Sequence, residues 1–269
     1  MLDLYHHGSS ECAGKVRFAL AEKELEWQGH YLDLLKGDQF NPAYMKLNPK
    51  AVVPTLVHNG VVITESTVIC EYLDEVFPRP PLKPVTAANR ARMRLWTKAI
   101  DDDVHPACVE ISYAICHRHI IRRMPSAEMK TFLDSRPPQS IASQWHERKV
   151  ELVDLGLETP GIASKFLLID SYLAKMEEAL GYHPWLAGDT FSLADIGAAP
   201  YVNRLAMLGM SEMWTRERPR VTGWFDRITR RPTFLPSFRQ WCPPDLQADI
   251  LNHGSQSWPL VKQMLQRIA

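Results

Sequence analysis

The sequence lacks an excess of either charge: lysine and arginine together number 31, and so do aspartate and glutamate. A nucleic-acid-binding surface is usually marked by clustered basic residues, so nucleic acid is a poor candidate partner. No apolar run is long enough to span a bilayer, and residues 1–5 (MLDLY) lack the basic and apolar segments of a signal peptide. We therefore expect a cytoplasmic protein without a membrane partner.

Cysteine is also scarce, with five residues in a chain of 269. An odd number of cysteines without metal-type spacing fits a reducing compartment, and we expect no metal site. Hydrophobic residues make up 45% of the chain. That content is enough for a sizeable core in one large domain or two modest ones.

The first part of the chain alternates strand and helix patterns. Residues 2–6 alternate apolar and polar side chains, as in a half-buried strand, and residues 16–23 have the apolar density of a helix. A second strand over 25–32, a short helix over 42–47, a hairpin and a helix ending near Val76 follow. The predicted order is β-α-β-α-β-β-α.

The hairpin carries the strongest local signal. Asn59 and Gly60 lie between two apolar segments, and this dipeptide favours a two-residue β-hairpin. Glu65 and Ser66 open the helix that follows. A strand entered through Pro54, a hairpin and a helix N-terminus place several backbone groups around one small anionic ligand, which indicates a peptide-like thiol.

A proline-rich stretch, residues 79–87, marks the boundary between two predicted domains, because its prolines can continue neither a helix nor a central strand. After it we predict only helices: a long one over 90–121, partly helical and irregular chain over 124–162, and further amphipathic helices. The fold class is thus α/β plus all-α, with an N-terminal domain over 1–78 and an all-helical C-terminal domain over 88–269.

Three motifs make the chain similar to the cytosolic glutathione transferases, in which a proline-rich linker joins a thioredoxin-like domain to a helical domain. The motifs are residues 48–54 (NPKAVVP), 64–73 (TESTVICEYL) and 191–196 (FSLADI). With the predicted element order they cover the chain except 124–162. In the third motif, Ser192 and Asp195 predict a capping box that starts a buried helix. Within the family, different motifs resemble bacterial glutathione-dependent β-etherases, zeta-type enzymes and reductive dehalogenases.

The resemblance implies that glutathione is the cosubstrate and assigns residues to it. Pro54 matches a cis-proline that leaves the backbone of Val53 free to pair with the cysteinyl unit. Ser66, at a helix N-terminus, would bind the γ-glutamyl carboxylate, and Glu65 would face the γ-glutamyl ammonium. Two further positions match residues near the glycyl carboxylate: Lys50 and Gln39.

The catalytic group implied by the resemblance follows the first strand. Counting back from residues 15–20, Ser10 matches the catalytic serine of zeta- and tau-like enzymes, whereas counting from Gly8 favours Ser9, as in delta-like enzymes. Either hydroxyl would donate a hydrogen bond to the glutathione sulfur at the start of the first helix. The expected activity is attack of the glutathione thiolate on a small hydrophobic electrophile, aromatic or lignin-derived, bound by the helical domain.

Cys12 leaves a second mechanism open. Zeta-like and reductive dehalogenase relatives have a cysteine at this position, and an exposed thiolate would form a mixed disulfide with glutathione. A thiol facing the core would be inert. The alternatives are therefore Cys12-dependent reductive dehalogenation, deglutathionylation or zeta-like isomerisation, and a non-catalytic scaffold of the same fold. Family members are usually homodimers, and residues 101–103 lie where that contact would form.

Overall fold

The N-terminal part of the chain has the predicted β-α-β-α-β-β-α order in a computed structural model that describes residues 1–135 and 145–268. The second strand is shorter than the predicted 25–32. The elements are β1 Leu2–His6, α1 Glu11–Glu22, β2 Gln28–Tyr31, α2 Pro42–Leu47, β3 Thr55–His58, β4 Val61–Thr64 and α3 Ser66–Val76.

The four strands form one mixed sheet in the order β2-β1-β3-β4. Strand β1 pairs parallel to β2 and antiparallel to β3, so that Leu4 lies between Gly29 and Leu56. The apolar–polar alternation of β1 buries Leu2 and Leu4 and leaves Asp3 partly exposed. Helix α1 packs against α3 and against a helix of the C-terminal part, α10, defined below. The first turn of α1 therefore lies where the two parts of the molecule meet.

After the linker, the described chain is helical apart from its loops and one isolated β-bridge, Trp185–Gly188. Two helices fall in the segment predicted to be irregular, of which 136–144 lies outside the described residues. The long C-terminal helix was not predicted. The helices are α4 Ala87–Ala99, α5 His105–Ser112, α6 Arg118–Arg122, α7 Ser126–Asp134, α8 Trp145–Leu155, α9 Ile162–Ala179, α10 Leu193–Met207, α11 Glu212–Thr215, α12 Pro219–Thr229, α13 Phe234–Ser237 and α14 Pro244–Ile268.

Helices α4, α5 and α6 form the one long helix that the sequence predicts, but two π-turns interrupt its α-helical hydrogen bonding. They span Ile100–Val104 and Tyr113–His117. In the first, the N–H of His105 donates to the carbonyl of Ile100, five residues earlier. Pro106 follows directly and has no N–H to continue the four-residue pattern, which accounts for the widened turn there.

The capping box predicted at the start of α10 is present. Ser192 Oγ accepts a hydrogen bond from the N–H of Ala194 (3.3 Å), and the N–H of Ser192 donates to Asp195 Oδ2 (3.0 Å). Asp195 is fully buried, and burial raises the pKa of its carboxyl to about 6. Across the described ranges, no helix is both long and apolar enough to cross a membrane.

Candidate active site

Ser10 is the N-cap residue of α1. Its Oγ accepts a hydrogen bond from the backbone N–H of Ala13 (3.1 Å), and its own N–H donates to the carbonyl of His7 (3.3 Å). Serine is a preferred N-cap because its oxygen satisfies an N–H that has no partner inside the helix. The capping bond uses a lone pair of Oγ, so the hydroxyl proton is left to donate to another group.

Ser9, the alternative hydroxyl, is held through its backbone. Its carbonyl accepts a hydrogen bond from the guanidinium of Arg204 on α10. Among the described residues, Ser9 Oγ forms no hydrogen bond to protein. The two serines therefore differ in structural position: Ser10 caps the helix terminus, and Ser9 precedes it.

Cys12 is the second residue of α1 and is partly exposed. Its Sγ lies 3.6 Å from Nδ1 and 3.7 Å from Nε2 of His105, on α5. The hydroxyl of Tyr201, on α10, lies 3.7 Å from the same sulfur. Cys12 is neither an isolated surface thiol nor a thiol in an apolar core, because two polar side chains of the helical part contact its sulfur.

The electrostatics of this contact favour a thiolate. Burial alone would raise the pKa of the Cys12 thiol, but the charge and hydrogen bond of His105 outweigh it, and Lys15 and Ser66 contribute in the same direction. The resulting pKa is about 7. Burial would lower the pKa of His105, but Cys12 raises it above its usual value. The pair thus favours a thiolate beside an imidazolium.

Lys15, on α1, is a second positively charged side chain near Cys12, in addition to His105. It is only 2% exposed, and its Nζ donates to Thr67 Oγ1 (3.1 Å) and Asp101 Oδ1 (2.8 Å). These bonds connect α1 to α3 and to the first π-turn. A buried lysine needs such partners because an unpaired ammonium is costly to remove from water.

His105 and Tyr201 were not singled out from the sequence. They are 93 and 189 residues from Cys12, and the docking of α5 and α10 on α1 brings them to the sulfur. The only local indication in the sequence that the helix is unusual near His105 is Pro106, which follows it inside a long apolar pattern. A proline there indicates a perturbed helix but does not indicate which way His105 points.

Glu65 and Ser66 lie at the N-terminus of α3, as predicted. Glu65 is the N-cap residue, with a positive φ of 67°, and Ser66 is the first helical residue, 7% exposed. Unpaired N–H groups and the positive end of the helix dipole make such a terminus suitable for a carboxylate. The carboxylate of Glu65 is already paired with Lys50, at 2.7 Å between Oε1 and Nζ.

The Val53–Pro54 peptide bond is cis, as the resemblance implies. Among the described residues, neither the N–H nor the C=O of Val53 takes part in a protein hydrogen bond. The neighbouring carbonyl of Val52 accepts from the hydroxyl of Tyr44 (2.5 Å) and the amide of Asn48 (2.9 Å). These two side chains hold the loop and leave the peptide groups of Val53 available to a ligand.

Gln39 lies in a short 3₁₀-helix, Asp38–Phe40, and is 8% exposed. Its Nε2 donates to the carbonyl of Leu34 (3.2 Å). Its Oε1 has no hydrogen-bond partner in the part of the chain that the structure describes. The same ranges contain no group of three or more histidine, cysteine, aspartate or glutamate side chains arranged to hold a metal ion.

Two family domains match the chain. Residues 9–76 match the family described as glutathione S-transferase, N-terminal domain, and residues 159–227 match glutathione S-transferase, C-terminal domain. Protein LigF of Sphingobium sp. (strain NBRC 103272 / SYK-6) is 32% identical over 250 residues, which cover 91% of this chain and 96% of that protein. The crystal structure of β-etherase LigF superimposes with a TM-score of 0.79 and 31% identity, covering 89% of this chain and 99% of that one.

The other two subfamilies named from the motifs are also represented. Tetrachloro-p-hydroquinone reductive dehalogenase of Sphingobium chlorophenolicum is 28% identical, covering 87% of this chain and 94% of its own length. Glutathione S-transferase Z1 of Arabidopsis thaliana is 48% identical over 90 residues, covering 34% of this chain and 41% of that protein. The resemblance and the fold class predicted from the sequence are thereby confirmed: the chain belongs to the glutathione S-transferase family, whose cosubstrate is glutathione.

Proposed function

We propose that this protein is a glutathione transferase in which the hydroxyl of Ser10 donates a hydrogen bond to the sulfur of bound glutathione and stabilises its thiolate. The observation that carries this assignment is the N-cap geometry. Ser10 Oγ accepts from Ala13 and keeps its proton for an outside acceptor, beside the first turn of α1. Ser9 lacks this relation to the helix terminus.

The free energies of these two interactions are sufficient to lower the pKa of the glutathione thiol. A free thiol has a pKa of about 8.5, and lowering it by about two units requires roughly 2.7 kcal/mol. A hydrogen bond to a charged group contributes about 1.5–3 kcal/mol. A helix N-terminus adds about 0.3–1 kcal/mol. One hydroxyl and one helix terminus together therefore account for the activation without a separate base.

The rest of glutathione would be bound as the sequence motifs imply. The free peptide groups of Val53 would pair with the cysteinyl backbone. Ser66 and the N-terminus of α3 would take the γ-glutamyl carboxylate, and Glu65 its ammonium. Lys50 would reach the glycyl carboxylate. We keep Gln39 as a further contact at the glycyl end, where its unpartnered Oε1 would accept a hydrogen bond from an N–H of the tripeptide.

The acceptor that we propose is an aromatic, lignin-type ether, supported by the similarity to β-etherase LigF over nearly the whole of both chains. The thiolate attacks the carbon that carries the aryl ether oxygen. A C–S bond forms, the C–O bond breaks, and the aryl oxide leaves with the electron pair and takes a proton from solvent. The helical part of the chain would bind the aromatic groups.

The test is the pKa of bound glutathione, followed through the ultraviolet absorbance of its thiolate against pH. The wild type is compared with Ser10→Ala, Ser9→Ala and Cys12→Ala. A depressed pKa that is lost only in Ser10→Ala supports the assignment, and loss only in Ser9→Ala would transfer the role to Ser9. Glutathione that binds with an unshifted pKa in the wild type would contradict hydroxyl activation and favour Cys12 chemistry or a scaffold.

A second candidate function rests on the contact of Cys12 with His105 and Tyr201. A thiolate of pKa about 7 is suited to deglutathionylation. Cys12 would attack the glutathione sulfur of a mixed disulfide, form its own disulfide with glutathione and release the other thiolate. A second glutathione thiolate would then free Cys12 and leave as glutathione disulfide.

The two candidates are separated by one variant. Cys12→Ala should abolish deglutathionylation and the mass increase of one glutathione on the protein after treatment with glutathione disulfide. The same variant should leave thioether formation on an aryl ether in place. Loss of both activities in Cys12→Ala with intact glutathione binding would argue against a division of labour between Ser10 and Cys12.

We also propose that the chain is a homodimer, in which the first domain of one copy packs on the long helix of the other. Large apolar side chains are exposed on both surfaces: Val61, Val62 and Val68 on β4 and α3, and Leu95 on α4. Light scattering should give twice the mass of the chain, and Val68→Asp should shift it towards the monomer. A monomeric wild type would contradict the proposal.

A further inference from the structure

One arginine of the helical part contacts the chain on both sides of Ser10. Arg204, on α10, is 3% exposed. Its Nε donates to the carboxylate of Glu11 (2.5 Å), and its Nη2 donates to the carbonyl of Ser9. Ser9 and Glu11 are the two neighbours of Ser10 in sequence, so a single rigid guanidinium brackets the proposed catalytic residue.

We propose that Arg204 is the positioning residue of the Ser10 hydroxyl, an inference that rests on the function proposed for Ser10. The capping bond to Ala13 fixes Ser10 Oγ relative to α1 but does not tie the preceding backbone to the helical part. Arg204 supplies that tie. It sets the direction of the chain through Ser9 and Glu11, and hence the direction in which Ser10 can donate towards a thiolate.

The chemistry of the contact suits this role. A guanidinium is planar and presents its N–H donors in a fixed fork, so two bonds to it define an orientation and not only a distance. Burial would lower the pKa of Arg204, but the carboxylate of Glu11 raises it above its usual value, and the group stays charged. Glu11 itself is only 12% exposed, so solvent screens this ion pair little.

A second buried arginine holds the residues just before this bracket. Arg17, on α1, donates from Nη1 to the carbonyl of His7 (3.0 Å) and from Nη2 to the carbonyl of Gly8 (3.1 Å). Arg17 therefore fixes the turn that leaves β1, and its Nε also donates to the carbonyl of Ser237 on α13 (2.7 Å). Of these two arginines, only Arg204 bonds to Ser9 and Glu11, the residues directly beside Ser10.

Arg204 also retains an unused donor. Its Nη1 is buried and has no hydrogen-bond partner among the described residues.

Charge neutralisation of Glu11 would need only one donor, which a lysine also supplies. Orienting the chain on both sides of Ser10 needs the planar, forked donors of a guanidinium, because the carboxylate of Glu11 and the carbonyl of Ser9 are separate acceptors. Arg204→Lys therefore distinguishes a positioning role from a charge role.

The experiment measures the thiolate pKa of bound glutathione, and kcat and KM with an aryl ether, for Arg204→Lys, Arg204→Met, Ser10→Ala and Ser10→Ala/Arg204→Lys. Arg218 provides the matched control. It pairs with the carboxylate of Asp170 (2.9 Å) and the carbonyl of Met213, away from Ser10. Arg218→Lys should behave as wild type.

We expect both Arg204 variants to raise the thiolate pKa and to lower kcat by about 10- to 100-fold, as for a small misplacement of a catalytic group. The KM for glutathione should stay within about twofold, because its other contacts are unchanged. In the Ser10→Ala background, Arg204→Lys should cause no further change. If Arg204→Met does not fold, Arg204→Lys and Glu11→Gln test the same bracket.

Three outcomes would overturn the proposal, and each has a different meaning. If Ser10→Ala raises the thiolate pKa but Arg204→Lys does not, Ser10 is catalytic and Arg204 does not position it. If Ser10→Ala leaves the pKa unchanged, the function proposed for Ser10 fails, and the positioning role fails with it. Equal losses caused by Arg204→Lys with and without Ser10 would show a merely structural role.

Discussion

The ammonium of Lys50 and the carboxylate of Glu65 lie 2.7 Å apart, and each side chain is about half exposed. The family resemblance assigns these two residues to opposite charges of glutathione, its glycyl carboxylate and its γ-glutamyl ammonium. Binding of glutathione would therefore exchange an existing ion pair for two new ones. Exposed pairs contribute only about 0–1 kcal/mol, so opening this pair costs little.

Glu65→Gln should weaken glutathione binding more than Lys50→Met. Glu65 would hold the γ-glutamyl ammonium next to the N-terminus of α3, where a charged hydrogen bond is worth about 1.5–3 kcal/mol, or roughly 10- to 100-fold in Kd. Lys50 is a flexible surface cation whose contribution salt will screen. Isothermal titration calorimetry at low and high salt measures both. A larger effect of Lys50→Met would contradict this order.

Ser10→Ala should lower stability as well as activity. Loss of the cap on Ala13 is expected to cost about 0.5–2 kcal/mol of unfolding free energy. Ser10→Asp retains a capping oxygen but places a negative charge where the thiolate would form, so it should keep the stability and still raise the thiolate pKa. Urea unfolding monitors the first effect. Equal stability of Ser10→Ala and the wild type would show that the cap is not contributing.

Alkylation of Cys12 by iodoacetamide should titrate with a midpoint near its pKa of about 7. His105→Asn should move the midpoint upwards, because it removes both the charge and the hydrogen bond that favour the thiolate. The other four cysteines are buried, and Cys12→Ala supplies the background rate. Coincident pH profiles of wild type and His105→Asn would contradict the pairing.

The stability of the protein should decline as the pH falls below about 6.5, the ordinary pKa of histidine. His6 is 0% exposed, and burial, aided by the Arg17 charge, lowers its pKa to about 3. Between these values the unfolded chain binds a proton that the folded chain does not, which costs up to about 1.4 kcal/mol per pH unit. Urea unfolding at a series of pH values from neutral to acidic measures the slope.

The variant His6→Gln serves as the comparison for that slope. It removes the titrating ring, so its unfolding free energy should depend less on pH over the same interval, whatever its absolute stability. Ring proton shifts of His6 in nuclear magnetic resonance should stay those of the neutral form throughout. A shift of the ring signals near neutral pH would show that burial does not depress this pKa.

The parts of the site formed by short-range chemistry could be predicted from the sequence. The Asn59-Gly60 hairpin and the helix opened by Glu65 and Ser66 each depend on residues only a few positions apart. The match to family motifs added the cis bond before Pro54, which no local pattern requires.

The partners from the helical part could not be predicted in this way. His105, Tyr201 and Arg204 reach the first turn of α1 from 93 to 193 residues away. Their approach depends on how α5 and α10 dock on α1. A helical wheel of the long helix also misplaces the side chains after the first π-turn, because hydrogen bonds there join each N–H to the carbonyl five residues earlier instead of four.

The π-turn at Ile100–Val104 has a consequence for evolutionary comparison. A π-turn accommodates one more residue than an α-turn, which rotates everything after it by about 100° around the helix axis. Asp101, within the π-turn, and His105, directly after it, both reach α1, one at Lys15 and the other at Cys12. A relative without the extra residue must therefore be aligned with a gap inside an unbroken helix, or the counterpart of His105 will be sought one position away.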